Sequence, residues 1–302
     1  MQPLTGKIAV VAGATRGAGR GIACMLGEAG ATVYCTGRST RQSQPLPSDK
    51  NTSPFALQHR PETIEETAEL VNDYGGVGIA VRVDHTVEAQ VKALFERVKT
   101  EAGRLDVLVN DVWGGDELTE WGTPFWELAP ETGWLMQERA VRSHLITSRY
   151  GVPLMIERRQ GLIVEITDGD TENYRGQLYY DLAKSAAIRL AYGMAEELRP
   201  HQITALALTP GFLRSEAMLE YFGVTEANWQ EGAKKDPHFI ASETPFYVGR
   251  AVAALAADPN LASKSGQAYS SWGLAQEYGF TDIDGRQPHW GNYLAEYLAN
   301  QT

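Results

Sequence analysis

The stretch Tyr179-Tyr180-Asp181-Leu182-Ala183-Lys184 places a phenol and an ammonium four residues apart. On a helix that spacing brings the Tyr180 and Lys184 side chains to one face, within reach of each other. A phenol beside a cation is a proton-transfer device. Free tyrosine has a pKa of about 10, and bringing it near neutrality takes roughly 4 kcal/mol of differential stabilisation, which nearby cations can supply. In a chain with thirteen tyrosines the spacing alone is close to chance, so the surrounding elements must decide its meaning.

Those elements begin with the apolar run Ile8 to Ala12, which reads as a strand buried on both faces. Gly13-Ala14-Thr15-Arg16-Gly17-Ala18-Gly19-Arg20-Gly21 follows and opens a helical segment that runs to Gly30. A strand, a glycine turn and a helix N-terminus together make an anion site: the glycines let backbone N–H groups approach a pyrophosphate, and the helix dipole favours its charge. Ala31 to Thr36, Val77 to Val83, Leu105 to Val109, Leu162 to Ile166, Ile203 to Leu208 and Gln267 to Ser270 read as further strands, with helical segments between most of them. One of these helices starts at Thr63, whose Thr-x-x-Glu spacing to Glu66 is a capping box. The alternation predicts a single doubly wound α/β domain: a parallel sheet with helices on both faces.

The Gly-x-x-x-Gly-x-Gly spacing of Gly13, Gly17 and Gly19, with Tyr180 and Lys184 downstream, resembles the short-chain dehydrogenase/reductase family. The resemblance covers most of residues 6 to 270, and the tail resembles the dehydrogenase/reductase member 1-like branch. It implies a Rossmann fold with strand order 3-2-1-4-5-6-7 and a nicotinamide cofactor. At the end of the second strand an acidic residue would bind a ribose 2′-hydroxyl, whereas an arginine pairs with a 2′-phosphate. Gly37 followed by Arg38 and Ser39, with Arg16 before Gly17, therefore points to NADP(H). The resemblance also implies a contact from Asp84 to the adenine. Asn110 matches the family's Asn-Asn-Ala-Gly, while Asp111, Val112 and Trp113 depart from it. Pro210, Gly211 and Ser215 resemble the segment that holds the nicotinamide carboxamide. Together with Gly13, Thr15, Arg16, Gly17 and Gly19, and with Tyr180 and Lys184, these are the expected cofactor contacts.

By the same resemblance Tyr180 is the acid or base, and Lys184 lowers its pKa and binds the nicotinamide ribose. A serine after the fifth strand should polarise the substrate carbonyl. Alignment by the strand puts Asp168 there, and counting thirteen residues back from Tyr180 puts Thr167 there. A threonine hydroxyl donates; an ionised carboxylate does not, unless burial or a like charge such as Asp170 keeps Asp168 protonated. This favours Thr167. The family's relay asparagine falls on Ala140, where the match fails.

Residues 40 to 61 form a polar, proline-bearing inserted loop, from which Arg41, His59 or Arg60 could reach a 2′-phosphate. Trp113 to Trp126 is a tryptophan-rich loop at the carboxyl end of the strands, where open α/β sheets bind ligands. Residues 212 to 247 are the substrate lid by analogy, and their aromatic content favours an apolar aldehyde or ketone. Trp290, Leu294, Tyr297 and Leu298 recur at helical spacing in the C-terminal extension.

With 302 residues and 43% hydrophobic content the chain can bury one large core. A formal net charge of -11 argues against nucleic acid or an anionic membrane as the main partner. Cys24 and Cys35 read as small buried residues in a reducing compartment, and the start of the chain lacks a signal-peptide pattern, so the expected location is cytoplasmic. No metal is expected, and the family suggests a homodimer or homotetramer. The expected function is NADP(H)-dependent carbonyl reduction or alcohol oxidation. A catalytically weak NADPH-binding sensor or scaffold is the alternative, motivated by the departures at Asp111 to Trp113, Ala140 and Asp168. A non-redox lyase or epimerase on the same fold is a third.

Overall fold

The computed structural model describes residues 2–43, 55, 60–171 and 173–300. Seven strands form one parallel sheet: β1 (Ile8–Ala12), β2 (Thr32–Gly37), β3 (Val77–Arg82), β4 (Val107–Asn110), β5 (Gly161–Ile166), β6 (Ile203–Thr209) and β7 (Ala268–Ser270). Their order is β3-β2-β1-β4-β5-β6-β7, as expected. Side chains alternate across a strand, so each central strand feeds both layers of core. Val11, Val109, Val164 and Leu208 pack on one side with α1 (Gly17–Glu28), α2 (Ile64–Asp73) and α8 (Pro245–Ala257). Val10, Leu108, Ile163 and Ala205 pack on the other with α3 (Glu88–Ala102), α5 (Ser143–Ile156) and α6 (Leu178–Leu198).

Local signals set several boundaries. Thr63 caps α2 in the predicted capping box: its hydroxyl accepts from Glu66 N, and Glu66 reaches back to Thr63 N. Residues 130 to 156 are one continuous helical run, made of α4 (Pro130–Gln137), a π-helical turn at Glu138–Arg142, and α5. The lid contains α7 (Glu216–Phe222), and the chain closes with α9 (Ser271–Tyr278) and α10 (Trp290–Ala299). Among the described residues, no helix is long and apolar enough to cross a membrane.

Helices α1 and α8 touch backbone to backbone. A Cβ on Gly21 would lie 2.0 Å from Pro245 O, and one on Gly249 would lie 2.5 Å from Gly21 O. Gly21→Val should therefore force the helices apart and cost about 3 kcal/mol, lowering Tm by roughly 6 to 12 °C. A thermal melt showing wild-type Tm would contradict this close approach.

Candidate active site

The sheet order reverses between β1 and β4, and in such sheets ligands bind beyond the carboxyl ends of the strands at that point. A cleft of about 1260 Å³ lies there. It is lined by Arg16, Arg38, Ser39 and Asp84 from the β1 to β3 side, by Gly13, Thr15 and Gly17 in the middle, and by Asp168, Tyr180, Lys184, Pro210, Gly211 and Ser215 from the β5 and β6 side.

The glycine turn fits a dinucleotide. Gly13 and Gly17 have φ of +95° and +56°, which favour glycine. A Cβ on Gly19 would meet Gly13 O at 2.3 Å and Asp111 Oδ2 at 2.7 Å. Gly19 therefore serves close packing of the helix start and does not itself line the cleft. The Gly17 N–H, at the N-terminus of α1, donates to Glu216 Oε2 at 2.8 Å, and Glu216 Oε1 lies 3.8 Å from Arg20 Nε. A pyrophosphate on this helix end would take the place that this lid carboxylate holds.

At the β2 end, Arg16 donates to Ser39 Oγ at 3.4 Å, and its Nε lies 3.5 Å from Glu62 without completing a hydrogen bond. Burial lowers the Arg16 pKa, with Glu62 opposing the shift and Arg60 adding to it. Arg38 is exposed, with Nη1 3.9 Å from Asp84 Oδ2. The other Asp84 oxygen accepts from Thr86 N and Oγ1 at 3.0 and 2.7 Å, so Asp84 also caps its own turn. Arg41 and Arg60 line the cleft but pair with Glu69 and with Glu62 and Glu220 respectively. His59, the third candidate from this loop, lies outside the described residues.

Helix α6 carries Tyr180 and Lys184. Gln177 caps it, its Oε1 accepting from Tyr180 N at 2.8 Å. The Tyr180 hydroxyl donates to Asp168 Oδ2 at 2.7 Å. The Thr167 hydroxyl turns away and donates to Lys184 O at 2.7 Å. The preference for Thr167 as the group facing the phenol is thus corrected: both residues line the cleft, but the Thr167 hydroxyl is taken up by the α6 backbone, whereas Asp168, one residue on, meets the phenol.

Tyr180 is flanked by Trp113, edge-on with centroids 5.3 Å apart, and by Trp121 at 5.1 Å. Burial first, and then the charge and hydrogen bond of Asp168, hold the Tyr180 pKa well above its ordinary value. The lowering of this pKa that was expected from Lys184 is not what the arrangement produces; the opposing charge is Arg175. The Lys184 ammonium sits 4.0 Å above the Trp113 ring, and burial lowers its pKa against the pull of Asp168, Asp116 and Asp111. Asp111, enclosed beneath Gly19, is pushed up to about 7 by burial, with Lys184 and His144 opposing.

Asn110 does not face the cleft, contrary to expectation. It ends β4 beside Glu165 of β5 and is fully buried, donating to Glu165 Oε1 at 2.6 Å and Ser148 Oγ at 2.9 Å. Glu165 Oε2 lies 2.6 Å from His144 Nδ1, and His144 Nε2 lies 3.0 Å from Val112 O. This buried network braces the backbone leading into Trp113. A carboxylate inside the apolar run Leu162 to Ile166 was its sequence signal. Ala140 lies within the π-helical turn and packs with Ala183 against Trp113 and Tyr180, so that turn borders the helix carrying the reactive pair.

The lid aromatics also differ from expectation. Phe222, Trp229 and Phe239 are buried against one another, leaving Phe212, Leu213 and Met218 on the cleft. Trp290 of α10 packs edge-on against Phe212, tying the C-terminal extension to the lid. The Pro210-Gly211 segment is held by Glu243, a residue with no motif to announce it, which accepts from Gly211 N at 2.9 Å and Ser271 Oγ at 2.6 Å. Burial pushes its carboxyl up to about 8.

The sequence model of the short chain dehydrogenase family matches residues 48–222. Mouse dehydrogenase/reductase SDR family member 1 is 36% identical over 94% of this chain and 85% of that protein. The chain belongs to the short-chain dehydrogenase/reductase family. Within it the chain sits with the dehydrogenase/reductase member 1-like branch, because that identity runs through nearly its whole length. A short chain dehydrogenase from Mycobacterium thermoresistibile shares the fold, with a TM-score of 0.74 at 23% identity over 95% of this chain and 92% of that one. A metagenomic short-chain oxidoreductase solved in complex with NADP has a TM-score of 0.61 at 23% identity, over 85% and 92%. Family membership makes the protein an oxidoreductase with a nicotinamide cofactor.

Proposed function

We propose that this short-chain dehydrogenase/reductase is an NADP(H)-dependent enzyme that interconverts a carbonyl compound and its alcohol. The observation that carries this is the placement of Tyr180 and Lys184 on one face of α6, in a cleft whose other end holds Arg16 and Arg38. When bound, NADP(H) supplies or accepts the hydride. Tyr180 moves the proton at the substrate oxygen, Lys184 holds the nicotinamide ribose, and Pro210, Gly211 and Ser215 orient the carboxamide. Arg16, Arg38 and Ser39 receive the 2′-phosphate, a preference to which the metagenomic relative's complex lends support. Of the aromatic content of residues 212 to 247, Phe212 reaches the cleft together with Leu213 and Met218, so an apolar substrate draws its support from these three residues and none from Phe222, Trp229 and Phe239. Two buried, unpaired cysteines suit a reducing, cytoplasmic compartment. Leu182 and Tyr192, exposed on α6, are candidate contacts for a homodimer or homotetramer.

A panel of aldehydes, ketones and quinones, followed by NADPH absorbance, tests the activity. Turnover of none would favour the second reading, an NADPH-binding sensor, for which the carboxylate on the Tyr180 hydroxyl speaks. Cofactor choice has its own test: Arg38→Ala should weaken NADPH binding about tenfold in a tryptophan-quenching titration and leave NADH binding unchanged. Equal losses for both cofactors would remove Arg38 from the 2′-phosphate site.

A further inference from the structure

The substrate end of the cleft is acidic and aromatic together. Asp168 takes the Tyr180 hydrogen, and Asp116 Oδ1 takes the Trp113 indole hydrogen at 2.8 Å, so a carboxylate and an indole are fixed as one unit. Burial outweighs that hydrogen bond and raises the Asp116 pKa, although the residue opens onto the cleft. Trp121, 61% exposed, completes the wall over Tyr180.

Two of the nearby cations already have partners. Arg139 pairs with Glu117 at 2.8 Å and donates to Gly114 O at 2.7 Å. Arg175 pairs with Asp181 at 2.9 Å and also donates to Asp168 O. Lys184 faces Asp111, Asp116 and Asp168, and its ammonium over the Trp113 ring shows that this wall accepts a cation. A neutral carbonyl oxygen entering beside Asp168 sets acceptor against acceptor. A positive charge elsewhere on the same substrate is attracted to both carboxylates and to the ring faces.

We propose that the substrate is an organic cation: a ketone, or its alcohol, carrying a positively charged nitrogen in the small ring or chain that bears the reacting carbon, recognised by Asp116, Asp168, Trp113 and Trp121. This rests on the carbonyl-reductase reading and names its substrate class. The nitrogen takes no part in the bond changes: the carbonyl carbon receives the hydride of NADPH, the π pair moves to oxygen, and oxygen takes the proton of Tyr180.

Two ketones of nearly the same shape test the charge, 1,1-dimethyl-4-oxopiperidinium and 4,4-dimethylcyclohexanone. Titrated by calorimetry into the full chain loaded with NADP⁺, the cation should bind about tenfold tighter or more. Asp116→Asn and Trp121→Leu should each narrow that gap to about threefold or less, because intrinsic differences between the ketones, including hydration, cancel between wild type and variants. Equal or tighter binding of the neutral ketone, or a gap that neither variant changes, overturns the proposal. Turnover of the neutral ketone without a preference for the cation would reject the proposal and leave the reductase reading standing. A cation preference with no turnover of any carbonyl would reject that reading and keep the cation site.

Discussion

Tyr180→Phe should lower turnover about 10² to 10⁴-fold while NADPH still quenches tryptophan fluorescence with wild-type affinity. The substitution deletes only the oxygen that donates to Asp168. The ring that packs between Trp113 and Trp121 stays, so the cleft keeps its shape. Single-turnover measurements separate the two effects, since a loss confined to the hydride-transfer step marks the phenol as the proton donor. Retained turnover would remove Tyr180 from the chemistry. Weakened NADPH binding with unchanged turnover would make it a cofactor contact only.

Asp168→Asn should move the pH dependence of the reaction rather than simply slow it. The Tyr180 pKa stands well above its ordinary value, through burial first and then through the charge and hydrogen bond of Asp168. For alcohol oxidation Tyr180 must lose its proton, so the wild-type rate rises toward high pH. For carbonyl reduction it must hold the proton, so that rate stays level through neutral pH. Removing the Asp168 charge lowers the Tyr180 pKa, and the rising limb of oxidation should shift to lower pH. The falling limb of reduction should shift the same way. An unmoved limb would show that Asp168 does not govern the phenol. Thr167→Val is the contrasting variant, because it removes the hydrogen bond to Lys184 O, costs about 1 kcal/mol of stability and leaves the limb in place.

Much of the fold was legible because its signals are local. Strand β1 is an uninterrupted apolar run and β5 and β6 are mostly apolar, the turn after β1 needs glycines at Gly13 and Gly17, and Thr63 and Glu66 cap their helix across three residues. The π-helical turn at Glu138–Arg142 was not legible, since its five residues carry no glycine, proline or cap that sets them apart from the α-helical residues on either side. Asn110 was misplaced because its side chain answers to partners 38 and 55 residues away, Ser148 and Glu165, that no local pattern announces. The aromatic content of residues 212 to 247 pointed to an apolar substrate, because composition cannot distinguish a segment that lines a cleft with its aromatics from one that packs Phe222, Trp229 and Phe239 into its own core.

By itself the sequence determined the parallel sheet, the glycine turn at a helix start, and the shared face of Tyr180 and Lys184, because strand and helix periodicity tie each residue to close neighbours in the chain. Long-range packing alone sets that Asp168 rather than Thr167 meets the phenol, that Glu216 holds the helix end where a pyrophosphate would sit, and that the charges of three carboxylates act on Lys184. These depend on where a chain leaving a strand turns its next side chain. That direction is set by contacts between elements far apart in sequence, which residue spacing does not record.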